Sequence, residues 1–112
     1  MQIDIQARGF PLSDGLRARV VRRLSYALGA AASRVTGLVV RLVDHNGPRG
    51  GKDKSCTIRA VLPRARPVVI EQRDGDLYAA IDVAAGRAGH ELSRRLARAV
   101  AGRRLCALIR TQ

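Results

Sequence analysis

Polar and apolar residues alternate at the start of the chain, and the period then lengthens to that of a helix. In residues 2–7, Ile3 and Ile5 share one side, a pattern typical of a half-buried strand that Pro11 ends. Apolar residues then recur every fourth position, which predicts a helix over about residues 13–31 with one buried stripe. The stripe consists of Leu16, Val20, Leu24 and Leu28.

From Val35 the period returns to two, which predicts three further strands. After the first of these three strands, residues 44–53 consist of turn-forming residues. The next strand is predicted over residues 55–62. The last strand covers residues 68–72 and follows Pro67, which suits a strand start or a sheet edge. The residues predicted to face the core are Leu38, Val40, Leu42, Cys56, Ile58, Ala60 and Leu62.

A second helix is predicted after the Asp74-Gly75-Asp76 turn, which also provides its cap, and we expect it to fray near Gly102. Its buried stripe is predicted to comprise Leu77, Ile81, Ala84, Ala88, Leu92 and Ala99. At 100° per residue, a basic set lies on the opposite side within an arc of about 80°. That set is Arg87, His90, Arg94 and Arg98.

The element order β-α-β-β-β-α predicts an α+β fold, a two-layer sandwich. We expect a four-stranded sheet with two helices packed on one face, because each helix has a single apolar stripe. Short connections predict antiparallel pairing among the later strands. The length of 112 residues fits one domain, predicted over residues 1–102, with a basic and apolar tail over residues 103–112.

Charge narrows the choice of partners. The chain has 21 Lys and Arg against 9 acids, a formal charge of +12, and 19 of the cations are Arg. A GC-rich genome also raises Arg content, but three separate basic zones favour a polyanionic partner, nucleic acid before membrane. Aromatic residues are only 3% of the chain, which argues against a base-stacking platform and favours recognition of folded RNA by shape and backbone.

Catalytic and metal-binding patterns are absent from the sequence. His45 is interpreted as a loop residue, and no Cys/His metal spacing or catalytic constellation is present. The glycine-rich loop fails as a phosphate-binding loop because Asn46 and Asp53 stand where such a loop needs Gly and Ser or Thr. A basic inter-strand loop that contacts a phosphate backbone, with Lys52 and Lys54 as candidate residues, fits the sequence better. For any single residue of the loop, a solvated hairpin loop without such a contact is the alternative.

The cysteine pattern and the lack of targeting segments predict a cytoplasmic protein. Cys56 and Cys106 lie 50 positions apart and are interpreted as reduced thiols rather than a disulfide. The first residues do not form a signal peptide, and no apolar stretch approaches the roughly 18 residues that a membrane span needs.

Several segments have a characteristic order and spacing. They are residues 1–3, residues 13–17, the Gly-rich stretch 46–56, Pro67-Val68 and the segment Asp76-Leu77-Tyr78-Ala79-Ala80-Ile81-Asp82. Together they resemble the family of ribosome hibernation-promoting factors and ribosome-associated translation inhibitors, over residues 1 to about 100. The resemblance is to the short form, which lacks the C-terminal dimerisation domain of long members.

This resemblance implies a non-enzymatic protein without a cofactor or small-molecule substrate. It would bind the small ribosomal subunit and its ribosomal RNA in the mRNA and tRNA channel, block translation and protect idle ribosomes under stress or in stationary phase. The alternative is a general RNA- or DNA-binding module of the same fold. A protein-interaction adaptor using the open sheet face is a third possibility, whose binding would be insensitive to salt.

The resemblance also implies site residues. Arg23 matches a first-helix Lys of the family, Arg87 and Arg94 match second-helix Lys positions, and His90 falls where an Arg is common. The full predicted RNA-binding set, which includes residues from the charge pattern, is Arg22, Arg23, Lys52, Lys54, Arg87, His90, Arg94, Arg95 and Arg98.

Some positions of the second helix depart from the family pattern. Glu91 stands where Gln is frequent, and Leu96 interrupts a run that is frequently basic. Ala88 and Gly89 are expected to weaken this helix relative to larger residues.

Overall fold

A computed structural model describes residues 2–45 and 53–110, with side chains as far as Arg98. The observed order is β-α-β-β-β-α, as predicted, with a short 3-10 helix after the first α-helix. The elements are β1 (Gln2–Arg8), α1 (Asp14–Leu28), the 3-10 helix (Gly29–Arg34), β2 (Gly37–Asp44), β3 (Lys54–Val61), β4 (Val68–Asp74) and α2 (Leu77–Arg110).

The strands form one sheet in the order β1-β2-β3-β4. β1 pairs parallel to β2 because the chain returns through α1, whereas β2, β3 and β4 pair antiparallel. One row of the register runs from Ile5 through Val40 and Ile58 to Ile70. β4 lies at the sheet edge directly after Pro67, as predicted.

The core lies between the helices and one face of the sheet. The four predicted residues of α1 are buried, and so are most of those predicted on α2 and on the strands. Ile3, Leu62 and Leu77 are only half-buried, and Ala99 lies outside the described side chains. The fully buried side chains are led in size by Leu24, Leu38, Leu42, Ile58, Ile81 and Leu92.

α1 begins as predicted and ends earlier than predicted. Ser13 is its N-cap, and its hydroxyl oxygen accepts a hydrogen bond of 3.1 Å from the backbone N–H of Leu16. The prediction that the helix continues to residue 31 is wrong, because Gly29 has a φ of 51°. That conformation ends the α-helix at Leu28 and turns the next residues into the 3-10 helix.

α2 begins at the predicted turn and runs further than predicted. Its cap is Asp76, whose Oδ1 accepts a 3.1 Å hydrogen bond from the backbone N–H of Tyr78. The predicted fraying near Gly102 is wrong, because the helix continues to Arg110. One glycine costs only about 1 kcal/mol relative to Ala, and the helix-forming residues around it offset that cost. Residues 103–110 of the predicted tail are helical, and the domain division at residue 102 stays a prediction.

The two helices lie side by side and approach each other closely at Gly89. A Cβ atom there would lie 2.3 Å from the backbone oxygen of Ala27, so only glycine fits at this crossing. Ala88 is fully buried against the core. The small residues that we expected to weaken α2 therefore have a packing role, because they let α1 and α2 interlock.

Neither α1 nor α2, over the residues that the structure describes, is both long and apolar enough to cross a membrane.

Candidate nucleic-acid interface

α1 contributes one polar face to the candidate site. Arg19, Arg22, Arg23 and Tyr26 follow the spacing i, i+3, i+4 and i+7, which places them on the same side of a helix. With Asp82 of α2 they line a depression of about 350 Å³. The two predicted residues of α1 are therefore neighbours in one surface feature.

Asp82 positions the guanidinium groups of α1 from the neighbouring helix. Its carboxylate lies 3.0 Å from Nη2 of Arg19 and 3.5 Å from Nε of Arg23. Arg23 also donates a hydrogen bond of 3.4 Å to the Asp82 carbonyl oxygen. Because these partners are partly exposed, the ion pairs add little stability, and their main effect is to fix where the cations point.

Two tyrosines stand beside these arginines. The Arg19 guanidinium carbon lies 5.2 Å from the Tyr78 ring centroid, and that of Arg23 lies 5.8 Å from the Tyr26 ring centroid. Tyr26 is 84% exposed and Tyr78 is 47% exposed. The composition argued against aromatic stacking, yet both tyrosines of the chain face solvent here. The helical spacing of Tyr26 from Arg19 and Arg22 was the signal that could have shown this.

The main groove of the site crosses α2, and we call it the helix groove. It has a volume of about 630 Å³ and brings together Arg23, Arg87 and His90 around Gly86, which has no side chain to fill it. Its remaining lining residues are Ile70, Asp82, Val83 and Glu91. Three of the predicted RNA-binding residues thus meet at one feature built from both helices.

Arg87 lies on the groove wall and also binds the edge strand. Its Nη1 donates to the backbone oxygen of Glu71 at 2.8 Å and to Oε1 of Gln72 at 2.9 Å. The contact reaches the backbone of β4, which is an edge strand of the sheet that the described residues form. The exposed guanidinium therefore has a structural partner as well as a solvent-facing surface.

The other predicted arginines of α2 divide into two groups. Arg94 and Arg95 each lie 3.6 Å from a carboxylate oxygen of Glu91, one turn earlier on the helix. Arg95 also donates to the backbone oxygen of Arg66. Arg95 and Arg98 line a different cavity at the far end of the sheet, which Arg94 does not line. The predicted basic run is thus not one continuous surface.

Lys54 lies away from the residues of α1 and α2 that form the helix groove. We call its surroundings the hairpin base: its Nζ lies 3.7 Å from Oδ2 of Asp44 and 3.3 Å from Oδ1 of Asp53. Asp53 is only 3% exposed. Lys52 and the loop interpreted as a phosphate-contacting loop lie outside the described residues.

The other candidate chemical groups are histidine and cysteine side chains outside the helix groove. His45 lies at the end of β2, and its Nε2 is 3.0 Å from Oγ of Ser55. No group of three or more His, Cys, Asp or Glu residues in that part could hold a metal ion. Cys56 is a free thiol in the core, where burial raises its pKa from 9.0 to about 12. The side chain of Cys106 is outside the described set.

Comparisons with known proteins agree with this architecture. Residues 3–99 match the family model described as Sigma 54 modulation protein / S30EA ribosomal protein. No curated protein matches the chain. Among solved structures, a ribosomal subunit interface protein from Coxiella burnetii matches with a TM-score of 0.75 and 16% identity, over 87% of this chain and 99% of that one.

A second solved structure is similar at higher identity. The N-terminal domain of Protein Y from Thermus thermophilus matches with a TM-score of 0.69 and 27% identity, over 84% of this chain and 98% of that one. The family model covers most of the sequence, from β1 through all of the described side chains of α2. The chain therefore belongs to the Sigma 54 modulation protein / S30EA ribosomal protein family, which indicates a ribosome-associated role.

Proposed function

We propose that this protein binds the small ribosomal subunit in the mRNA and tRNA channel, through ribosomal RNA, and thereby inhibits translation or promotes hibernation under stress. The family supports the ribosome as partner. The protein would act in the cytoplasm as a non-enzymatic, cofactor-free binding protein.

The observation that carries this proposal is the helix groove. It places cationic groups of α1 and α2 on one rigid surface, with Arg22 beside it on α1. Guanidinium groups form charge-assisted hydrogen bonds to phosphate, and a fixed array of them can match the backbone of a folded RNA. The packed core keeps the two helices in register, so the array needs little reorganisation on binding.

The same face offers contacts other than phosphate contacts. Tyr26 is almost fully exposed beside Arg22 and Arg23. An unpaired base of an RNA loop can stack on such a ring, and a neighbouring arginine can hold the adjacent phosphate. Folded RNA with splayed bases suits this surface better than a regular duplex does.

A general RNA- or DNA-binding module of the same fold is the second candidate function. The charge of +12 supports it equally well, because backbone contacts carry no sequence information. Competition separates the two candidates. A protein seated in the channel loses binding when mRNA and tRNA occupy the subunit, whereas a general binder still attaches elsewhere on the RNA.

The test is co-sedimentation with purified ribosomal subunits over a salt series. We expect saturation near one copy per small subunit, and a loss of affinity by orders of magnitude between about 50 and 200 mM salt. The triple variant Arg22→Glu, Arg87→Glu and Arg94→Glu should not pellet with the subunit. Failure of the wild-type protein to pellet with the small subunit at low salt would contradict the proposal.

A matched control keeps the change in net charge constant. Arg8, Arg41 and Arg59 lie exposed on the strands, on the sheet face opposite the helices. The triple variant that replaces these three by Glu alters the net charge equally and leaves the helix groove intact. We expect it to pellet nearly as well as wild type, and equal loss in both triples would mean that only total charge matters.

A further inference from the structure

A second cavity lies at the end of the sheet opposite the hairpin base. It has a volume of about 380 Å³ and lies where the turn after β3 meets the 3-10 helix and α2. Pockets that hold small organic ligands have volumes of roughly 300–1,000 Å³. We call it the arginine cavity, because Arg34, Arg95 and Arg98 stand around it.

The electrostatics of this cavity favour an anion. None of its described lining residues is acidic. Arg95 is held in place by the backbone oxygen of Arg66 and by Glu91, whereas the exposed side chains of Arg34 and Arg98 form no hydrogen bond or ion pair with another described residue. Three cations around one space repel each other, and a bound phosphate would relieve that repulsion.

The floor of the cavity is apolar. Leu62 and Leu96 are half-buried and pack against the core, and Pro63 and Ala65 complete the surface. A simple inorganic anion would gain nothing from such a floor. A ligand with a flat, weakly polar ring beside its phosphate would use both parts, because the ring would cover apolar area while arginines held the charge.

We infer that the arginine cavity binds a nucleotide, with the phosphate against Arg34 and Arg98 and the base against the apolar floor. The nucleotide is either one unstacked residue of an RNA strand or a free mononucleotide. This site shares no lining residue with the helix groove. With an RNA residue as ligand, the inference rests on and extends the proposed function, because Arg95 and Arg98 belong to the predicted RNA-binding set; with a free mononucleotide it is independent of that function. A test without ribosomes separates both forms from binding to the small subunit.

The decisive variant introduces a carboxylate at Ala65, an exposed turn residue. Ala65→Glu should pair with the arginines and repel phosphate, and Ala65→Lys is its matched control because it adds similar bulk with the opposite charge. The probes are AMP, ribose 5-phosphate and a short oligoadenylate, titrated by calorimetry. We expect Ala65→Glu to weaken binding by at least about tenfold and Ala65→Lys to preserve it.

The probes distinguish the two sources of the nucleotide. Tight AMP binding that Ala65→Glu removes would identify a free-nucleotide site. Oligoadenylate binding without AMP binding, again lost in Ala65→Glu, would identify an RNA residue as the ligand. If the ligand is a free nucleotide, ribose 5-phosphate should bind at least about tenfold more weakly than AMP. If the ligand is an RNA residue, an oligonucleotide with an abasic residue should bind at least about tenfold more weakly than the intact oligoadenylate.

A second variant tests whether the loss of binding in Ala65→Glu comes from a changed conformation of the turn. Arg34→Gln with Arg98→Gln should reproduce the loss, and Arg41→Gln with Arg59→Gln on the open sheet face is its charge-matched control. Three results would overturn the inference: no probe binds the wild-type protein, Ala65→Glu binds like Ala65→Lys, or removal of the base leaves affinity unchanged.

Discussion

The helix groove and the hairpin base both contain cations that the sequence predicted to bind RNA, but the charged groups around these cations differ. In the helix groove, Arg23, Arg87 and His90 converge from two helices, with Asp82 and Glu91 as the acidic neighbours. At the hairpin base, one lysine lies between two carboxylates. From this comparison of the described residues, we expect that nearby carboxylates, as well as total charge, determine which positive groups are available to a polyanion.

The two regions also differ in the interactions that stabilise their conformations. The helix groove depends on close packing of α1 against α2, whereas the hairpin base depends on short-range ion pairs between neighbouring strands. The first kind of support fails when side-chain volume changes, and the second fails when a charge is removed. Substitutions that do one or the other separate the two regions.

Gly89→Ala should have the largest effect on stability. The new methyl group would meet the Ala27 backbone at 2.3 Å, and backbone cannot move aside as a flexible side chain can. We expect a loss of roughly 3 kcal/mol in the free energy of unfolding, measured by urea denaturation.

Gly86→Ala is the matched control on the same helix. A Cβ at Gly86 would lie 3.8 Å from Nη2 of Arg23, an ordinary contact. The substitution should leave stability unchanged or raise it by up to about 1 kcal/mol, because Ala favours the helix. Equal destabilisation by both changes would show that helix crossing at Gly89 is not the cause.

Arg22→Gln tests the functional side of the comparison. Arg22 is exposed on the groove-facing side of α1, so losing its charge should weaken binding to the small subunit by about tenfold and lower the salt slope by about one. Lys54→Gln removes the same charge from the hairpin base and should leave the salt slope unchanged. Co-sedimentation over a salt series measures both, and an equal change in the two slopes would contradict the distinction.

Lys54→Ala tests the structural side of the comparison. The variant leaves the buried carboxylate of Asp53 without the cation 3.3 Å away, and Asp44 beside that space adds to the repulsion. Because Lys54 is partly exposed, we expect a loss of only about 1 kcal/mol in the free energy of unfolding. Asp53→Asn in the same chain should restore most of it, and no recovery would mean that the lysine stabilises through its alkyl stem.

The sequence predicted those parts of the molecule that depend on neighbouring residues. Ser13 and Asp76 were recognisable as caps because a cap binds backbone only two or three residues ahead. The strand faces followed from their period of two. The end of α2 was missed because a lone glycine is a weak terminator, and the end of α1 depended on the conformation of Gly29.

The site was less predictable because its properties depend on contacts between elements. That Lys54 is neutralised follows from a hairpin bringing Asp44 opposite it, and periodicity alone does not report charge pairing. Arg95 and Arg98 line a different cavity from Arg87, because the turn after β3 packs beside the part of α2 that contains them. Tyr26 could be recognised as a candidate contact residue only from the structure, which places it beside arginines that Asp82 positions.

At neutral pH the smallest effect is expected at Cys56, two residues from Lys54 on the same strand and fully buried in the core. Its thiol has a pKa of about 12 in the folded protein against an ordinary value of 9.0. The folded state therefore holds this proton more tightly than the unfolded state does. Below pH 9.0 both states are protonated and the thiol gives no pH dependence. Between 9.0 and about 12 only the unfolded thiol ionises, so stability falls as pH rises.

Cys106→Ser provides the background for measuring this, because it leaves Cys56 as the sole thiol. In that variant we expect no labelling by a thiol reagent at neutral pH in buffer and complete labelling in denaturant, because the core excludes the reagent and keeps the thiol protonated. Adding Cys56→Ala should flatten the alkaline decline in the free energy of unfolding, relative to the single variant. A decline of unchanged steepness would place its origin in other groups, and rapid labelling of the folded protein would show that β3 opens at the hairpin end, where the ion pairs around Lys54 are its support.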